Sequence, residues 1–110
     1  MNNPVIELVI FKAKREVSSE ALKKAAAKTT PVLEKMDGFL GRELSVTENE
    51  ETWVDIVHWQ NMNSANEAAK AFDNEPDCQE FAAMIEEETI TMLHCNSVFT
   101  FVTEENKINI

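Results

Sequence analysis

Few residues in this chain can move a proton or an electron pair near neutral pH. There are two histidines, His58 and His94, thirty-six residues apart, and two cysteines, Cys78 and Cys95. That separation has none of the close spacing that metal ligands on one element show, so no metal site is expected. His94 and Cys95 are neighbours, but adjacent residues of a strand point to opposite faces, which rules them out as a nucleophile–base pair in regular structure. Glu7 and Asp55 are the other candidates, each a carboxylate within an apolar run. Carboxylates are costly there unless paired or facing a wet cavity, and a desolvated one can serve as a base. Arg42 is available as a plain ion-pair partner. Trp53, Trp59 and Phe11 supply flat apolar surface, and the chain contains no tyrosine.

The elements around these residues read as follows. Residues 5–13 are rich in Val, Ile, Leu and Phe and form a buried strand. In it Ile6, Leu8 and Ile10 share one face and Glu7, Val9 and Phe11 the other. Ser18 or Ser19 caps a helix with Glu20 in its first turn. Leu22, Ala25, Ala26, Thr29, Leu33 and Met36 form its buried stripe, and Pro31 predicts a kink or break near Thr30. Asp37-Gly38 ends the helix. Strands over 39–47 and 52–60 flank an acidic hairpin loop. Ser64 to Glu67 has the form of a capping box opening a second helix. Residues 74–77 interrupt that helix, and Cys78, Phe81, Ala82 and Ile85 form a further apolar stripe. Residues 94–102 make the last strand, and a polar tail follows over 103–110.

This order, βαββαβ, predicts a single α+β domain of the ferredoxin-like plait type, with an antiparallel sheet and its core within about residues 5–102. The helices cover one face of the sheet. Placing Val9, Phe11, Val57 and Trp59 on the other face leaves it apolar, so a homodimer joined through that face is expected.

Charge narrows the partners. Twenty acidic against ten basic residues give −10, which repels nucleic acid and anionic lipid. Neither a secretory leader nor an apolar run long enough for a membrane span is evident. A reduced, cytoplasmic location follows as the expectation.

Residues 36–44, Met-Asp-Gly-Phe-Leu-Gly-Arg-Glu-Leu, resemble the segment after the first helix in the antibiotic biosynthesis monooxygenase family of dimeric α+β barrels. Trp59, Ser64 with its alanine-rich helix, and residues 73–76 resemble the family's third strand and second helix. The likeness runs from Val5 to about Phe99. It implies a homodimer with a small hydrophobic or aromatic ligand held between sheet and helices. It also implies a cofactor-independent monooxygenase acting on an aromatic or quinol-like metabolite. Such chemistry needs a dry pocket, aromatic walls and a polar group that takes a proton.

On this reading His94, His58 and Asp55 are the catalytic candidates, and Trp53, Trp59, Phe11, Glu7 and Asn96 the ligand-binding ones. His94, Asn96 and Thr100 place polar groups along one face of the last strand, which favours His94 over His58. Family members that degrade haem use an asparagine on the first strand, with a tryptophan and a histidine on the second helix. Here Phe11 or its neighbours, Phe72 and Ala82 occupy those places, so haem is not expected and no cofactor is assigned. A non-catalytic ligand-binding or stress-response protein, and an isomerase or lyase, stand as alternatives on the same fold.

Overall fold

The structure is a computed structural model, and it describes residues 3–103. The expected tail therefore lies outside the described residues, except for Thr103.

Four strands run antiparallel in the order β2-β3-β1-β4: β1 Val5–Phe11, β2 Phe39–Val46, β3 Trp53–Trp59 and β4 Thr91–Asn96. Helices α1 (Ser19–Glu34), α2 (Met62–Phe72) and α3 (Pro76–Ala83) complete the fold. This is the ferredoxin-like α+β plait. The two central strands, β1 and β3, carry the β-branched and aromatic residues that suit a sheet buried on both sides.

Register decides which side chains meet. Across the helix-covered face one row reads Arg42, Val57, Glu7, His94, and the next reads Leu44, Asp55, Val9, Met92. Across the other face the rows read Gly41, His58, Ile6, Cys95, then Glu43, Ile56, Leu8, Leu93. The expected division of β1 into two faces holds, but the assignment of those faces to helix and solvent is reversed. Val5, Phe11, Val57 and Trp59 lie at 5 % exposure or less beneath the helices. The open face belongs instead to Ile6, Leu8, Ile10, Val54 and Ile56, all partly exposed. Strand alternation separates the two sets but carries no sign. Both sets here are apolar, so hydropathy could not tell which one the helices would cover.

Helix α1 follows its expected stripe, with Leu22, Ala25, Ala26, Thr29 and Leu33 buried and Ser18 Oγ accepting from the Ala21 amide at 3.1 Å. It continues through Pro31 instead of breaking at Thr30. The proline leaves the Ala27 carbonyl without its helical donor, a local loss that the packed face of the helix tolerates. Gly38 follows at φ +84, and its carbonyl accepts from the Gln60 amide at 2.8 Å.

The start of α2 and both ends of the last strand differ most from the sequence reading. Asn61, not Ser64, caps α2: its Oδ1 accepts from the Ser64 amide at 2.8 Å, and the helix begins at Met62. Ser64 is instead buried against Gly38. The last strand begins at Thr91 and ends at Asn96, so Thr100 lies beyond it. Pairing with β1 sets those limits: Ser97 donates to the Pro4 carbonyl at 2.9 Å, and among the described residues no strand pairing continues past Asn96.

Candidate functional site

The core beneath the helices falls into two buried clusters. Phe11, Leu22, Trp53, Phe81 and Ile85 anchor one; Val5, Leu33, Val57, Trp59 and Ala68 anchor the other. A cavity of about 360 Å³ opens between them, walled by members of both and by Phe72. Its size falls within the range of small-molecule sites.

Three ionisable side chains from the sheet interrupt this apolar wall: Glu7, Arg42 and Asp55. Arg42 and Asp55 satisfy each other. Arg42 Nε donates to Asp55 Oδ1 at 3.0 Å and Nη2 to Oδ2 at 2.7 Å, a bidentate pair with both side chains 8 % exposed. Arg42 Nη1 also donates to the Ala26 carbonyl at 2.9 Å and to Thr29 Oγ1, tying β2 and β3 to α1. The guanidinium lies 5.6 Å from the centre of the Phe81 ring. A planar, permanently charged group with five donors suits this work as no lysine would.

Glu7 has a different environment. Trp59 Nε1 donates to its Oε1 at 3.3 Å, and Nε2 of His94 lies 3.0 Å from its Oε2. Both contacts follow from strand pairing, since Glu7 stands opposite His94 on β4. Glu7 is 9 % exposed, whereas the His94 side chain keeps 21 % of its surface open. The pair therefore connects a cavity wall to solvent at the edge strand. Among the described residues no buried side-chain nitrogen or oxygen lacks a partner.

Sequence candidates thus separate. Glu7, Asp55, Trp59 and Phe11 line the cavity. His94 touches it through Glu7. Trp53 is buried at the other end of the core and lines a second groove, between β2 and α1. Asn96 is an exposed residue at the end of β4, on the helix side of the sheet. His58 lies on the open face, across from Ile6 and Gly41. Burial pulls its pKa below the usual 6.5, while Glu43 pulls the other way.

Sequence reasoning offered Arg42 only as an ion-pair partner and Phe72 only as a residue of the second helix, and it placed neither in the cavity wall, where both stand. Only register and helix docking bring them to one place. Cys78 is buried, and burial pushes its thiol up to about 11, which makes it inert.

Neither histidine is on a helix. The α2 and α3 residues that face the cavity, Ala68, Ala69, Phe72, Phe81 and Ala82, have no atom that ligates iron. Among the described residues no three His, Cys, Asp or Glu side chains are grouped to hold a metal ion. No helix among them is long and apolar enough to cross a membrane.

An antiparallel plait whose helices enclose an apolar cavity against one sheet face defines a class of small α+β proteins. Within it, the chain belongs to the antibiotic biosynthesis monooxygenase family, whose model matches residues 4–84. No curated protein matches it in sequence. Among solved structures it is similar to SnoaB from Streptomyces nogalater, described as a cofactor-independent oxygenase. That likeness has 14% identity and a TM-score of 0.64, covering 93% of this chain and 98% of SnoaB. It also resembles a Bordetella bronchiseptica protein proposed as an antibiotic biosynthesis monooxygenase (16% identity, TM-score 0.67, covering 88% and 99%). A conserved Methanosarcina mazei protein is a third (8% identity, TM-score 0.68, covering 87% and 94%). At these identities the likeness concerns the fold.

Proposed function

We propose that this protein is a cofactor-independent monooxygenase that converts a phenol or quinol-like aromatic to a quinone, working as a cytoplasmic homodimer. One observation carries the reading: the apolar cavity has a carboxylate, Glu7, in its wall, backed by a histidine that reaches solvent.

The reaction needs an electron-rich anion that reduces oxygen directly. Glu7 takes the hydroxyl proton of the bound phenol and passes it to His94, whose exposed edge exchanges with water. The phenolate forms a C–O bond to dioxygen at a ring carbon that carries hydrogen, para to its own oxygen or, in a quinol, ortho to it. The hydroperoxide so made then loses water, its O–O bond breaking as the ring C–H proton leaves, and a quinone remains. One oxygen atom ends in the quinone and the other in water, so phenol plus dioxygen balances quinone plus water. Trp59, Phe11 and Phe72 hold the ring flat and exclude water. Arg42, fixed by Asp55, places positive charge beside the anion.

Two copies would bury their open sheet faces against each other through Ile6, Leu8, Ile56 and Leu93, which replaces the interface expected at Val57 and Phe11. The direct test is oxygen uptake with a naphthol in chelator-treated buffer, beside thermal melts. Uptake that Glu7→Gln abolishes supports the reading. Thermal stabilisation by the naphthol without uptake identifies a binding protein instead.

A further inference from the structure

Charge is unevenly spread around the apolar cavity. Three carboxylates line it, Glu7, Asp55 and Asp73, against the guanidinium of Arg42. Among the described residues its wall holds no lysine and no second arginine. Arg42 is already engaged: Nε and Nη2 donate to Asp55, and Nη1 donates to the Ala26 carbonyl and to Thr29 Oγ1. Its charge is matched by Asp55, with both side chains 8 % exposed. Glu7 and Asp73 are left without a matching cation in the lining. The contacts of Glu7 are the Trp59 indole N–H and an imidazole nitrogen of His94. Neither an indole nor a neutral imidazole supplies a countercharge. Asp73 ends α2, directly after Phe72, and is exposed where it borders the cavity.

We propose that this cavity selects its ligand by charge. It takes an aromatic compound that carries a protonated amine and excludes aromatic acids, with Glu7 in the wall and Asp73 at the mouth as the selecting groups. The proposal rests on the cavity being the ligand site of the proposed oxygenation, and not on turnover.

An ammonium that reaches Glu7 gains a charge-assisted hydrogen bond, stronger than one between neutral groups. The faces of the aromatic rings around it, Phe72 among them, also attract a cation. An aromatic carboxylate meets the reverse. It leaves water for an apolar wall whose cation is already paired, and it faces Glu7 as a like charge. The overall charge of −10 acts in the same direction at longer range, drawing cations and repelling anions before contact. A phenol escapes this exclusion because it enters uncharged. Its anion forms only as Glu7 is neutralised, so the charge of the filled cavity does not change.

The test uses three probes of similar size: naphthylmethylamine, naphthylmethanol and naphthoate. Each is titrated by calorimetry into the parent, Glu7→Gln and Asp73→Asn at pH 8, above the usual range of an imidazole. None has a phenolic hydroxyl, so none can be turned over by the proposed chemistry. The parent is expected to bind the amine at least about a hundredfold more tightly than the acid, with the alcohol between them. Glu7→Gln should shrink that ratio to about tenfold or less. Asp73→Asn should shrink it by a smaller factor, since water and salt screen a charge at the mouth.

A further comparison needs no variant. Raising salt from about 0.15 M to about 1 M screens surface charges, so a parent ratio that survives the change locates the selection inside the cavity. Equal binding of amine and acid, a ratio abolished by salt, a ratio unchanged in Glu7→Gln, or no binding of any probe would each overturn the proposal. Oxygen uptake with a naphthol is followed on the same preparations. Uptake with a flat binding ratio removes charge selection and keeps the oxygenase, and the expected ratio without uptake does the reverse.

Discussion

Glu7 Oε2 lies 3.0 Å from His94 Nε2, while its other oxygen accepts from Trp59 at 3.3 Å. Three strands and 87 residues of sequence separation thus converge on one carboxylate in a cavity wall. Removing either function of the pair, proton acceptance at Glu7 or transfer at His94, should show in rate more than in fold. Glu7→Gln keeps an oxygen for Trp59 and an amide for His94, and His94→Gln keeps a donor for Glu7. Turnover should fall about 10²- to 10⁴-fold in Glu7→Gln and measurably in His94→Gln. Melting temperatures should stay near the parent's. If His94→Gln melts far below the parent with turnover per folded protein unchanged, His94 is structural.

Arg42 has the opposite profile. Truncation to Ala leaves Asp55 charged at 6 % exposure and frees the Ala26 and Thr29 contacts to α1. Urea denaturation should show a loss of about 3–5 kcal/mol. Arg42→Lys restores charge but not the bidentate fork, so it should recover only part of that loss. A cost below about 1 kcal/mol for Arg42→Ala would mean that the pair is not structurally important.

Gly38 is a test of backbone geometry alone. It sits at φ +84, and a Cβ there would collide with Ser64 Oγ and lie 2.6 Å from Ser64 Cβ. Gly38→Ala should therefore cost about 1–3 kcal/mol from the left-handed conformation alone, with the collision added. Pairing it with Ser64→Gly should recover the collision share and leave the rest.

His58 links stability to pH. Its pKa is lowered in the folded protein, so below about 6.5 the unfolded chain binds a proton that the folded one resists. The stability it contributes is present above that pH and lost as pH falls through the lowered value. Melting temperature should drop between pH 7.5 and 5 less steeply in His58→Gln than in the parent. Parallel curves would show that His58 titrates no differently in the two states.

How legible this was in sequence depended on whether a residue's neighbours were local. The stripe of α1, the turn at Gly38, the break before Pro76 and the strand order of elements all follow from spacing and turn chemistry within a few residues. Glu7 and Asp55 stood out as carboxylates in apolar strands, and Arg42 was available as a partner for either. What spacing could not supply was register: that Glu7 faces His94, that Arg42 chooses Asp55, and that His58 turns away from both. The reversed sheet faces have the same origin. β1 and β3 are apolar on both sides, and only the docking of three helices decides which side becomes the core. Thr100 was placed on a strand because residues 97–102 are β-prone, although the strand ends at Asn96.

Isotope tracing tests the central claim most directly. A panel of electron-rich naphthols would be incubated with the chelator-treated protein under ¹⁸O₂ and the products weighed by mass spectrometry. The account predicts a quinone bearing one ¹⁸O, the second label in water, one dioxygen consumed per quinone, and loss of all three in Glu7→Gln. Quinone formed without label, or labelled quinone formed equally by Glu7→Gln, would contradict it, as would a panel that neither binds nor reacts.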